Sequence, residues 1–387
     1  MDKNRLMYID NIRLLVIILV VVQHISVTYS GFGDWYYIEP GKIGIVQTAL
    51  FGIWQATVQG FSMGLLFLIA GYFLPGAYDK KGFGRFINDR LIRLGAPTII
   101  YMLVIHPLLA LGILGYRFDA GGFIAHGDGS LLIAHKEYLV GFHFIGGSGP
   151  LWFALTLLIF TIIYALIRKF TATKAATATG NTFPTFLQIS ALILLISVCA
   201  FLVRIVQPIG TNILNIQLSN FSSYVILFII GIKCKQNNWF EKLDYATVKP
   251  WLIRGIAFGI IMFAVIMISG GALAGDLTPF NGGVTWQSAA YSVWESYVAV
   301  AMSIALIAVF KAKYNIQSKL IKTMSTNAFS VYVFHAPVIV ALSLLFASIH
   351  LVPIAKFVII VLAGVPLCFL ITNLTIQKIP FLRKLFA

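Results

Sequence analysis

The chain has 387 residues, 59% of them hydrophobic and 11% charged, with a mean hydropathy of +0.90. No soluble globular domain needs that balance, so the composition excludes the soluble classes and indicates a polytopic integral membrane protein. The formal charge of +15 does not point to nucleic acid, because the basic residues fall in short segments between apolar runs rather than on one compact face.

A charged start followed by an apolar stretch raises the question of a cleaved signal peptide. No small-x-small cleavage site follows, so the first apolar run reads as a retained span. An α-helical span needs about 20 mainly apolar residues to cross roughly 30 Å of hydrocarbon. Ten runs meet that length, at 12–29, 47–74, 94–115, 150–168, 186–206, 218–234, 252–274, 290–310, 326–348 and 353–376. The predicted fold is therefore an all-α polytopic membrane bundle of about ten transmembrane helices, a single domain over 1–387 with no internal repeat. The longest polar interruption, 116–149, contains "GGFIAHGDGS" and reads as an extracytoplasmic loop with a short interfacial helix. Cys199, Cys234 and Cys368 lie far apart and show neither metal spacing nor a disulfide framework, so no metal is expected.

Placing both termini in the cytoplasm puts 23 of the 28 basic residues on the inner side, leaving Lys42, Arg117, Lys136, Arg204 and Lys356 outside. That asymmetry supports an even number of spans in a cytoplasmic (inner) membrane, and it sets "DWYY", 34–37, at the outer interface as an aromatic anchor.

In "YIDNIRLLVIILVVVQHISVTYS", 8–30, Arg13 and His24 are eleven positions apart, three helical turns plus about 20°, so they share a face and lie about 16 Å apart along the axis. Asp10 can pair with Arg13 across one turn. One reading makes Arg13 and Asp10 interfacial anchors and His24 a packing residue; the other makes a polar path across the membrane, with His24 as general base. In "GRFINDRLIRLGAP", 84–97, Arg90 and Arg93 stand three apart at the cytoplasmic entrance of the third span, where with Arg85 they suit an anionic phosphate group or, more plainly, the inner helix end. Trp152, opening the fourth span in "GPLWFALTLLIF", reads as belt or site. His335 in "SVYVFHAPVIV" precedes Pro337, which loosens its helix. Glu295 in "YSVWESYV" enters its span from the outside, level with His24 and close in depth to Arg204. It is either solvated or the group that orients the imidazole.

Taken together and in this order, these segments resemble the acyltransferase-3 family of membrane acyltransferases, in particular its branch similar to the glucan biosynthesis protein C. The resemblance rests on "YIDNIRLLVIILVVVQHISVTYS", on "FLIAGYF" followed by "RFINDRLIRLGAP", on "GPLWFALTLL", on "WESYVAVAMSIALIAVF" and on "NAFSVYVFHAPVIV", and it extends over nearly the whole chain. Two departures stand out: Ala70 occupies a position where the family usually has Ser, and no soluble esterase-like domain follows the tenth span. The resemblance implies O-acyl transfer, of acetyl or succinyl, from cytoplasmic acyl-CoA to a hydroxyl of an extracytoplasmic glycan. Acyl-CoA would be a co-substrate, with no permanently bound cofactor. Arg13, Arg90 and Arg93 would hold the donor phosphates and His24 would be the general base, with Glu295 as its orienter and Asp10, Trp152 and His335 in support. The competing reading is a transporter or flippase for lipid-linked sugars in which His24, Arg13 and Glu295 relay protons. Inverted halves with paired Gly/Pro-broken helices would mark it, and the sequence shows no such symmetry. A non-catalytic sensor would leave the buried charges without a reason.

Overall fold

The computed structural model describes residues 6–41, 43–119, 122–124, 130–171, 182–272 and 275–386. Lys3, Arg5, Lys42, Lys174 and most of "GGFIAHGDGS" lie outside the described residues. The chain forms α1 (Met7–Ser30), α2 (Ile45–Arg90), α3 (Ala96–Ile100), α4 (Leu131–Val140), α5 (Trp152–Thr171), α6 (Phe186–Val206), α7 (Phe221–Gln236), α8 (Trp239–Lys242), α9 (Tyr245–Ser269), α10 (Thr278–Asn281), α11 (Trp286–Lys313), α12 (Lys319–Leu345), α13 (Pro353–Leu374) and α14 (Pro380–Phe386). Two three-residue strands, Arg117–Asp119 and Gly122–Ile124, pair antiparallel and leave the bundle all-α.

Among the described residues nine helices are long and apolar enough to cross a membrane, and one of them, the run Ile45–Ile113, holds two of the ten predicted spans. Gly82 separates the two, with φ 70° and ψ 168°, a left-handed φ that favours glycine. Across it the chain turns: the rings of Tyr78 and Phe86 are 5.5 Å apart and Lys81 Nζ is 2.8 Å from Asp89, although eight residues of straight helix would span about 12 Å. Beyond the turn the helix widens to π geometry at Leu91–Gly95, Tyr101–Ile105 and Leu108–Ile113. Such local π segments are frequent near functional sites.

Side-chain caps set several helix starts. Thr185 and Gln188 form a capping box on α6, and Thr285 and Ser318 accept from the third backbone N–H of α11 and α12. Asp244 caps α9 by accepting from Thr247 N, a bond that holds its carboxyl below the usual carboxylate range. This cap starts α9 at Tyr245 rather than at the predicted 252, and the helix runs on through Pro250.

Tight packing sits where side chains are smallest. A Cβ on Gly71, the glycine of "FLIAGYF", would lie 2.1 Å from the Phe228 carbonyl oxygen, and one on Gly231 would lie 2.1 Å from that of Leu68. The backbones of α2 and α7 therefore touch, as small residues allow in membranes. Gly71→Ala should force them apart and lower stability by about 1–3 kcal/mol, the usual cost of overpacking. Gly76→Ala on the same helix, where a Cβ meets nothing within 4 Å, should be neutral. Thermal unfolding of the two detergent-purified variants checks this, and equal melting temperatures would contradict it.

The connections cluster at two ends. At one, Asn11 Nδ2 donates to the carbonyls of Tyr314 (2.7 Å) and Ile316 (3.0 Å), Lys311 Nζ to that of Phe240 (3.0 Å), and Arg168 pairs with Asp79 at 2.7 Å. This basic end gathers the start of α1, the Gly82 turn and the ends of α5 and α11. At the opposite end Asn215 Nδ2 donates to Ser148 Oγ at 2.8 Å, and Lys356 Nζ to Glu39 at 2.6 Å. Three of the basic residues that the charge asymmetry left on this side have specific partners. Arg117 donates to the Leu111 and Tyr116 carbonyls, and Arg204 and Lys356 lie in buried ion pairs.

Candidate active site

α1 carries Arg13 near the basic end and His24 near the opposite one. Arg13 lies 3.6 Å from Asp10 and its guanidinium stands 4.9 Å over the Phe73 ring of α2. The His24 imidazole is stacked on Trp35, with centroids 3.7 Å apart and planes 16° apart, and lies 5.2 Å from the His335 ring at 22°. Three near-parallel rings thus meet where α1, α12 and the 31–41 segment converge.

The protonation of His335 follows from its partner. His335 is fully buried and its Nδ1 lies 2.8 Å from the Tyr332 carbonyl, which can only accept, so Nδ1 carries the hydrogen. Its Nε2 is buried with no hydrogen-bond partner among the described residues, and His24 Nδ1 is likewise buried without one.

His24 lines a cavity of about 2110 Å³ together with Gln23, Trp35, Tyr36, Gln55, Gln59, Trp152 and Tyr224. Trp152 stacks on Tyr224 at 5.7 Å, and the Tyr224 hydroxyl accepts from Gln59 Nε2 at 3.2 Å. Further along, the walls are mainly apolar side chains of α6, α9 and α11, among them Ile193, Ile260 and Met302, together with Lys242, Asp244 and Arg254. Aromatic faces with a few amide groups at one end of a mainly apolar cavity are the make-up common to small-molecule sites, which marks this end as the candidate site.

Trp35 was expected as an interfacial anchor and lies instead against the imidazole, its indole nitrogen buried. Spacing along α1 could not show this, because Trp35 reaches His24 through a reversal of the chain after Gly31, whose φ of 71° ends the helix. Beside it, Tyr36 places its hydroxyl 2.7 Å from His106 Nδ1 and 3.1 Å from the Tyr101 hydroxyl. Burial raises the Tyr36 hydroxyl well above its ordinary range, so it stays neutral.

Glu295 is held elsewhere. Its carboxylate pairs with Arg204, which is fully buried and also donates to the Ser219 carbonyl (3.2 Å) and to Ser292 Oγ (3.1 Å). No described bond joins Glu295 to His24; the ring nearest the imidazole from another helix belongs to His335. Arg93, on the π segment that opens the third span, lies 3.1 Å from Asp89, and Arg90, the last residue of α2, stands 5.0 Å over Phe86 with its Nε buried and without a partner among the described residues. Arg13, Arg90 and Arg93 do not line the His24 cavity. The candidate residues therefore form two groups, one at each end of the bundle.

A family model for an acyltransferase domain, that of the acyltransferase-3 family, matches residues 6–373. The chain belongs to the acyltransferase-3 family. Comparison with curated proteins and with solved structures gives no match. The matched region takes in both groups of candidate residues, so the bundle is a membrane acyltransferase domain.

For an acyltransferase the first chemical question is whether a side chain takes the acyl group. Ser26 follows His24 by two positions, about 200° around the helix, and its hydroxyl is fully buried and accepts from Gln55 Nε2 at 3.0 Å. Cys234 and Cys368 are buried and Cys199 is partly exposed, all three as free thiols, and none lines the cavity. Among the described residues no group of three or more His, Cys, Asp or Glu is placed to hold a metal ion. The group best placed to act on a molecule in the cavity is the His24 imidazole.

Proposed function

We propose that this acyltransferase moves an acetyl or succinyl group from cytoplasmic acyl-CoA to a hydroxyl of an extracytoplasmic glycan, in the manner of the glucan biosynthesis protein C branch, from a cytoplasmic membrane in which both termini face the cytoplasm. The observation that carries this reading is the His24 imidazole on the wall of a large cavity, at the opposite end of α1 from Arg13 and the basic cluster. The basic end suits the anionic nucleotide of coenzyme A, and the aromatic faces of Trp35 and Trp152 with the amides of Gln55 and Gln59 suit the ring and hydroxyls of a sugar.

In the proposed step His24 takes the proton of the acceptor hydroxyl as its oxygen attacks the thioester carbonyl carbon. The new C–O bond forms, the C–S bond breaks, and the imidazolium returns the proton to the departing thiolate. Coenzyme A leaves as the thiol. The step needs an imidazole nitrogen that the protein does not already occupy, and among the described residues His24 Nδ1 has no hydrogen-bond partner. Mass spectrometry of cell-envelope glycans tests the whole reading: deleting the protein should remove an ester-linked acyl group and complementation should restore it. An unchanged glycan profile would overturn it.

The donor half has its own test. A guanidinium grips phosphate oxygens bidentately, whereas an ammonium is a point charge. Arg90→Lys with Arg93→Lys should therefore weaken acyl-CoA binding by about tenfold or more, since a hydrogen bond to a charged group is worth about 1.5–3 kcal/mol. Equilibrium binding to the purified double variant decides the point, and wild-type affinity would remove the phosphate clamp.

A further inference from the structure

The connection after α1, over 31–41, doubles back along the last turn of that helix. The Glu39 backbone N–H donates to the Thr28 carbonyl at 2.9 Å, one turn beyond His24, and the Tyr116 hydroxyl donates to the Tyr36 carbonyl at 3.0 Å. The strongest tie is distant in sequence. Lys356 Nζ donates to the Glu39 carboxylate at 2.6 Å and to the Ala347 carbonyl at 3.3 Å, and Lys356 is buried. A lysine in the first turn of α13 meets the unfavourable end of the helix dipole and loses its hydration as well. The Glu39 carboxylate, with the Ala347 carbonyl, offsets that cost.

Trp35, four residues before Glu39, has its indole N–H buried with no hydrogen-bond partner among the described residues. It packs beside Ala336 and Val340 of α12 and 5.9 Å from the His335 ring, and the polar ties of its segment are those at Tyr36 and Glu39. An indole face 3.7 Å from His24 attracts the cation that forms when the imidazole takes a proton, and attracts it more strongly where water is excluded.

We propose that the Glu39–Lys356 pair is a latch that holds Trp35 on His24, and that Trp35 is a positioning residue whose indole face stabilises the imidazolium during acyl transfer. This rests on the reading of His24 as the general base.

The experiment uses full-length purified protein carrying Lys356→Met, Glu39→Gln, the exchanged pair Glu39→Lys with Lys356→Glu, Trp35→Phe or Trp35→Leu. It reads hydrogen–deuterium exchange over 31–44 together with kcat and the KM for acyl-CoA. Lys356→Met and Glu39→Gln should both speed exchange over 31–44 and lower kcat by about ten- to thirtyfold, the size of a desolvated cation–π contact, at unchanged KM for acyl-CoA. The exchanged pair should recover most of the loss, and Trp35→Phe, which keeps a ring face, should retain more turnover than Trp35→Leu. Unchanged exchange in Lys356→Met and Glu39→Gln would remove the latch. Faster exchange with wild-type kcat, or equal turnover in the two Trp35 variants, would remove the action of Trp35 on His24. Should Lys356→Met not fold, Glu39→Gln and the Trp35 pair still decide. A His24→Gln variant that keeps its turnover would instead defeat the general-base reading, whatever the exchange over 31–44 shows.

Discussion

Replacing His24 with glutamine should lower acyl transfer by about 10²–10⁴, the range that general-base catalysis supplies, while leaving the fold and acyl-CoA binding intact. Glutamine can hydrogen-bond but cannot take a proton at neutral pH, so it removes the chemistry and keeps the polarity. The fold should survive because His24 Nδ1 has no hydrogen-bond partner among the described residues and the ring stacks on Trp35 and His335. His24→Ala should be as inactive as His24→Gln. If the imidazole only packs, the order reverses: glutamine is tolerated, and alanine destabilises by leaving space between Trp35 and His335. Turnover of the detergent-purified variants, with melting temperatures measured alongside, separates the two, and near-normal turnover in His24→Gln would end the proposal.

Glu295→Gln should act on stability first. Arg204 is fully buried, and the carboxylate that balances it lies on α11 one turn from Ser292, which the same guanidinium also bonds. Breaking a buried pair from one side leaves an uncompensated charge and typically costs about 3–5 kcal/mol. Both Glu295→Gln and Arg204→Met should therefore melt well below wild type. Replacing both residues with methionine should recover much of the loss, because no lone charge remains. Thermal unfolding of the three variants checks this, and a full-strength fold in Glu295→Gln would contradict it. Turnover per folded molecule adds a second reading. If it holds in Glu295→Gln, the carboxylate serves the bundle through Arg204; if it collapses while the fold persists, Glu295 orients the imidazole as its place in the sequence suggests.

The ring cluster shows where local spacing stops being informative. Arg13 and His24 lie on one helix, so the 3.6-residue repeat alone puts them on one face at a known separation. His335 is marked in the sequence as an ionisable group inside a span, a rare and costly placement. That it meets His24 depends on how α12 is rotated against α1, which no periodicity specifies. Trp35 carries still less local information, since an aromatic residue just past a span is usually an interfacial anchor. The depth assigned to Glu295 and Arg204 was shared, and depth alone does not say which of two polar groups at one level will pair.

What the sequence by itself determined is the set of membrane segments and the separation of a basic end from a histidine-bearing one. Hydrocarbon imposes those features locally, because each span must be about 20 apolar residues long and must satisfy its own backbone hydrogen bonds. The tertiary structure alone decided the partners: Trp35 on His24, Glu295 on Arg204, and Glu39 on Lys356 from 317 positions away. In a bundle whose helices are all apolar, rotation and neighbour choice follow from close packing at small residues such as Gly71 and Gly231 and from the few buried polar groups finding one another. Those are properties of the assembled helices and of no single segment.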